Sequence, residues 1–107
     1  MTIAKLESNA DYIRLLLTSD SRNQVIALLD TATKEQISAL SEIFHNITRL
    51  PIAPETKVGI NARQKLLEKL SDKKTTTRQK GQLLSRHQRI IIDILHSVRG
   101  SLLSLLK

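Results

Sequence analysis

Thr33-Lys34-Glu35-Gln36-Ile37-Ser38-Ala39-Leu40-Ser41-Glu42-Ile43-Phe44-His45-Asn46-Ile47 is the stretch whose reading decides the fold. Ile37, Leu40, Ile43, Phe44 and Ile47 recur at the i, i+3, i+4, i+7 spacing of one helix face, and Ser38, Glu42 and Asn46 fall on the outer face. Thr33 and Gln36 form a capping box, each side chain accepting the other's backbone N–H, which gives the helix a defined start. Strands favour alternation and aromatic or β-branched residues. Here Tyr12 and Phe44 are the only aromatics and Leu and Ile dominate the apolar content. An all-α fold with an aliphatic core is expected.

Two shorter helices precede this one. Ser8 or Asn9 caps the first, with Tyr12, Ile13, Leu16 and Leu17 inward. Asp20 or Ser21 caps the second, which carries Val25, Ile26, Leu28 and Leu29. Leu50-Pro51-Ile52-Ala53-Pro54 reads as a connector. Pro54 suits the first position of a fourth helix and Glu55 its first turn. That helix is expected to run to about Leu70, with Val58, Leu66, Leu67 and Leu70 as apolar contacts and Gly59 weakening its start. Ser71 to Thr77 breaks it. Thr76 or Thr77 then caps a short surface stretch to Arg89 that has little apolar content beyond Leu83 and Leu84. The final helix, 90–107, carries Ile91, Leu95, Val98, Leu102, Leu105 and Leu106 on one stripe, widened by Ile90, Ile92 and Ile94. It is too polar for a membrane span, because Asp93, His96, Arg99 and Gly100 interrupt it. The expected architecture is one domain, a small bundle of about five helices: near-neutral helices in 1–50, a basic segment in 57–89, and an apolar C-terminal helix.

Charge follows this division. The chain carries a net +7, yet Lys57 to Arg89 holds ten Lys or Arg against Glu68 and Asp72, a local balance of +8 that leaves the remainder near −1. Cations gathered in one segment read as a surface for a polyanion. The absence of cysteine rules out a disulfide framework and a thiolate metal site, and suits a reducing compartment. Met1 to Leu6 lacks the apolar core of a signal peptide. His45, His87 and His96 have no metal-ligand spacing, and Glu42 with His45 reads as a weak i, i+3 surface contact. No phosphate loop, nucleophile motif or carboxylate pair appears, so a non-enzyme without cofactor or metal is expected.

Ile13-Arg14-Leu15-Leu16-Leu17, Ala27-Leu28-Leu29 and Thr31 to Ile43 with Asn46 together resemble a small late protein of adintoviruses, the Maverick or Polinton-type elements of animals, and of related invertebrate DNA viruses. The resemblance extends through the Pro-containing connector, the lysine-rich helix around Gln64-Lys65-Leu66-Leu67 and the basic segment Lys73 to Leu84. It implies a basic virion or core component, located in the virion and, during assembly, in the host nucleus or cytoplasm. Two differences stand out: the basic run is thinner than in those proteins, and Gly81 stands alone where they carry a Gly-Gly pair.

The expected nucleic-acid contacts are therefore Lys57, Arg63, Lys65, Lys69, Lys73, Lys74, Arg78, Lys80, Arg86 and Arg89. They should meet the phosphate backbone without reading sequence, since there is no recognition helix and no aromatic platform for unpaired bases. Leu95, Val98, Leu102, Leu105 and Leu106 are expected either to complete the core or to pack on other virion proteins or a second copy. Two alternatives remain: a capsid-lining scaffold without nucleic-acid affinity, and a membrane-active amphipathic factor, suggested by the basic-then-apolar order of 78–107.

Overall fold

The computed structural model describes residues 7–47, 50 and 52–106; the readings above for Met1 to Leu6, Pro51 and Lys107 lie outside them. Among the described residues there are eight helices and no strand: α1 (Ala10–Thr18), α2 (Arg22–Asp30), α3 (Lys34–Asn46), α4 (Pro54–Asn61), α5 (Gln64–Ser71), α6 (Thr77–Arg86), α7 (Gln88–Ser97) and α8 (Arg99–Leu105). The all-α expectation holds. The count of about five does not, because the chain bends where no Gly or Pro marks a break. Arg63 (φ −111°, ψ 19°), His87 (−114°, 34°) and Val98 (−113°, 10°) each leave the helical region for the adjoining bridge region, and helical turns resume on both sides. One long helix thereby becomes α4 and α5, and another becomes α7 and α8.

Local capping follows the sequence closely. Thr33 Oγ1 accepts the Gln36 N–H at 3.2 Å and Gln36 Oε1 accepts the Thr33 N–H at 2.9 Å. The same reciprocal box recurs at Thr76 and Gln79, with distances of 3.1 and 3.0 Å, at the start of α6. Ser21 caps α2 through the Gln24 N–H, and Pro54 opens α4. Asn9 precedes α1 without a side-chain cap bond. Each box satisfies two otherwise orphaned donors. Thr33→Ala is therefore expected to cost about 1 kcal/mol, read as a lowered urea midpoint with unchanged cooperativity.

α3 is the central element. It packs most extensively on α5 and also on α6, while α6 packs on α2, α4 on α7, and α1 on α8. The core joins Tyr12, Ile13, Leu16 and Leu17 of α1 to Ile37, Ala39, Leu40, Ile43 and Phe44 of α3, and to Ile91, Ile92, Ile94 and Leu95 of α7. The radius of gyration is 12.5 Å, close to the ~13 Å typical of a folded chain of this length.

Two expectations about facing are corrected. Asn46, read as an outer residue, is buried, its amide donating to the Glu42 carbonyl at 3.0 Å. Val58, read as an apolar contact of the fourth helix, is 69% exposed, and Ile60 is buried instead, because α4 turns that side toward α7. The basic segment contributes to the core, as read for Leu67 and Leu70. Ile60, Leu67, Leu70 and Leu84 are all buried, because a helix lying on α3, α2 or α7 needs only one or two apolar positions aimed at its neighbour.

Polar ties close the N-terminal helix onto the rest. The Tyr12 hydroxyl donates to the Leu28 carbonyl at 2.8 Å, His96 Nε2 meets the Leu16 carbonyl at 3.1 Å, and Arg14 donates to the Leu106 carbonyl. Burial pushes the Tyr12 hydroxyl up from 10.0 to about 12. Its deprotonated form is thus disfavoured in the fold. Between these two values the unfolded chain has released the proton and the folded chain still holds it, so stability falls as pH rises, by at most about 2–3 kcal/mol. Urea midpoints at pH 9 and pH 11.5 should show this loss, and Tyr12→Phe should make it smaller.

Candidate nucleic-acid interface

The ten cations of the basic segment are carried on four successive helices and the turns between them. Lys57 lies on α4, Arg63 at the bend before α5, Lys65 and Lys69 on α5, Lys73 and Lys74 in the turn after it, Arg78, Lys80 and Arg86 on α6, and Arg89 on α7. Leu67 and Leu70 point α5 inward, which leaves Lys65 and Lys69, one turn apart, on its outer side. Nine of the ten are exposed; Lys80 is half-buried. Among the described residues none of those nine takes part in an ion pair, whereas Arg14 pairs with Asp11 at 3.4 Å and Arg22 with Asp93 at 3.8 Å.

The structure does not gather the cations into one uniformly positive face. Lys73, Lys74 and Lys80 line a groove of about 1000 Å³ between α3, α5 and α6, together with Ser38, Ser41, His45 and the carboxylates Glu42, Glu68 and Asp72. Arg78 and Arg86 border a second depression beside Asp30, on the other side of α6. Arg63 shares a third with Asp93. Asp30 is itself committed, accepting from Ser85 Oγ at 2.8 Å and Gln88 Nε2 at 2.6 Å, and so anchors α6 and α7 to α2. Segregation along the sequence is thus partly undone in space: the charge-rich groove holds three carboxylates beside three amines. Lys57, Lys65, Lys69 and Arg89 line none of these three depressions.

Lys80 differs from the rest. Its ammonium donates to Ser41 Oγ at 2.7 Å, and Ser41 Oγ donates in turn to the Leu70 carbonyl at 2.9 Å. No feature of the sequence shows this tie, because Ser41 and Lys80 lie 39 positions apart.

Both aromatic side chains are interior, Tyr12 at 9% and Phe44 at 3% exposure, so neither is available to stack on a base. Of the five residues considered for association, Leu95, Val98, Leu102 and Leu106 are buried within the chain, and only Leu105 is exposed, at 44%. The stripe is covered because α8 folds back on α1 and α7. His87 sits at the bend between α6 and α7, His96 ties α7 to α1, and His45 faces the α3–α5 groove. Among the described residues no three His, Cys, Asp or Glu are grouped as a metal site would need. No described helix is long and apolar enough to cross a membrane.

No protein-family model, no curated protein and no solved structure matches this chain.

Proposed function

We propose that this chain is a non-catalytic structural protein of a DNA virus that meets the nucleic-acid backbone through the exposed cations of α4 to α7 without reading sequence. The observation that carries this reading is the set of nine exposed cations without an ion-pair partner among the described residues, all held on one folded segment. Exposed cations without an ion-pair partner attract a polyanion, and counterion release then drives binding. The viral setting rests on the resemblance of residues 13–46 and the elements that follow them. Other virion proteins or a second copy are the further partners it implies.

Fluorescence anisotropy with a labelled duplex tests this. If about five phosphates are contacted, log K falls against log salt with a slope near −4.5, equally for unrelated sequences. Absence of binding at low salt overturns the proposal. A second reading, a capsid-lining or scaffold protein, is favoured by one observation: the balance of three carboxylates and three amines in the α3–α5–α6 groove. It predicts no duplex affinity and a partner-bound or oligomeric state in light scattering.

A further inference from the structure

We infer that Lys80 is a positioning residue, locking the Lys73-Lys74 turn in place for the phosphate contact proposed above, and is not itself a phosphate ligand. The inference rests on that proposed function only for its binding consequence; the lock itself stands on geometry.

The turn that presents Lys73 and Lys74 spans the end of α5 and the start of α6. Its internal ties are local: the Lys74 N–H donates to Asp72 Oδ1 at 2.9 Å and the Thr75 N–H to the Asp72 carbonyl at 3.1 Å. Such bonds shape a turn but do not fix it against the rest of the molecule. The relay from Lys80 Nζ through Ser41 Oγ to the Leu70 carbonyl adds a polar tie from both sides of the turn to α3, beside the packing of Leu70 and Leu84. Leu70 lies in the last turn of α5, where carbonyls have no partner within the helix. Ser41, from the middle of α3, supplies the missing donor. Lys80, from α6, brings a positive charge to the negative end of the α5 dipole and hydrogen-bonds the same hydroxyl. Side chains or backbone of three helices thereby meet at one oxygen, bonded on one side to the last turn of α5 and on the other to α6.

Position on α6 supports the assignment. Lys80 shares the inward side of the helix with Leu84, whereas Arg78 and Arg86 lie toward solvent. A phosphate reaching Lys80 would have to enter a groove that already holds Glu42, Glu68 and Asp72. The exposed Lys73 and Lys74 meet it first.

The test pairs a charge-preserving with a charge-removing variant. Ser41→Ala breaks the relay without altering charge, and Ala is well tolerated inside a helix. Lys80→Met removes the charge and keeps the aliphatic stem. Amide hydrogen exchange across residues 70–80 is expected to speed up about five- to tenfold in both variants. Duplex affinity should fall severalfold in both, with the salt slope unchanged. If Lys80→Met instead makes the slope shallower by about 0.9 while exchange stays at the wild-type rate and Ser41→Ala changes neither, Lys80 is a direct phosphate contact and the inference is overturned. Should the wild type bind no duplex, the proposed function fails, and exchange alone decides the lock: unchanged rates in Ser41→Ala refute it.

Discussion

Leu95→Ala is expected to destabilise the folded chain by about 2–5 kcal/mol and to lower its thermal midpoint by about 10–30 °C. Leu95 is 1% exposed on α7 and belongs to the same buried cluster as the inward residues of α1 and α3. Truncating it removes transfer energy and leaves a cavity that the surrounding helices close only in part. Leu105, on the same sequence stripe but 44% exposed, should tolerate the same change at a cost below about 1 kcal/mol. Circular-dichroism melts at two protein concentrations, tenfold apart, check both. Midpoints independent of concentration, with a large gap between the two variants, place the stripe inside the monomer. A wild-type midpoint that rises with concentration, and loses that rise in Leu95→Ala, would place it between copies.

The second large effect is electrostatic. Changing Lys65, Lys69, Lys73 and Lys74 together to Gln is expected to make the salt slope of duplex binding shallower by about 3–4 and to weaken binding roughly a thousandfold at 0.1 M salt. All four are exposed and carry no ion pair among the described residues, so the thermal midpoint should stay near the wild-type value. Lys34 and Arg99, exposed cations outside the basic segment, provide the control. If Lys34→Gln with Arg99→Gln flattens the slope as much per charge removed, binding follows net charge alone and no surface is assigned. If the quadruple change leaves the slope intact, the α5 edge is not where phosphate sits, and the scaffold reading gains.

The helical class and the starts of α2, α3 and α4 were legible because their determinants are local. A capping box spans four residues and a helical stripe repeats within eight, so Thr33, Ser21, Pro54 and the face Ile37-Leu40-Ile43-Phe44 are readable without knowing any partner. The inward set of α1 was readable for the same reason. The candidate surface was legible only as a list of cations. That nine are exposed agrees with their chemistry; that carboxylates from α3 and α5 stand among three of the ten does not follow from a count along the chain.

Sequence alone thus determined the helical class and the capped starts, both consequences of short-range periodicity and hydrogen bonding, and the placing of charge in one segment of the chain. Tertiary structure decided the rest. The bends at Arg63 and Val98 lie inside stretches read as single helices, carry no Gly or Pro, and form where one straight helix could not cover two different neighbours. Asn46 went inward and Val58 outward because burial depends on which helix lies opposite, not on the residue's own period. The C-terminal stripe, ambiguous as a pattern, was resolved by the folding of α8 onto α1 and α7. Lys80, indistinguishable in sequence from nine other cations, acquired a different role because the fold carried Ser41 to within 2.7 Å of it, a contact no local rule encodes.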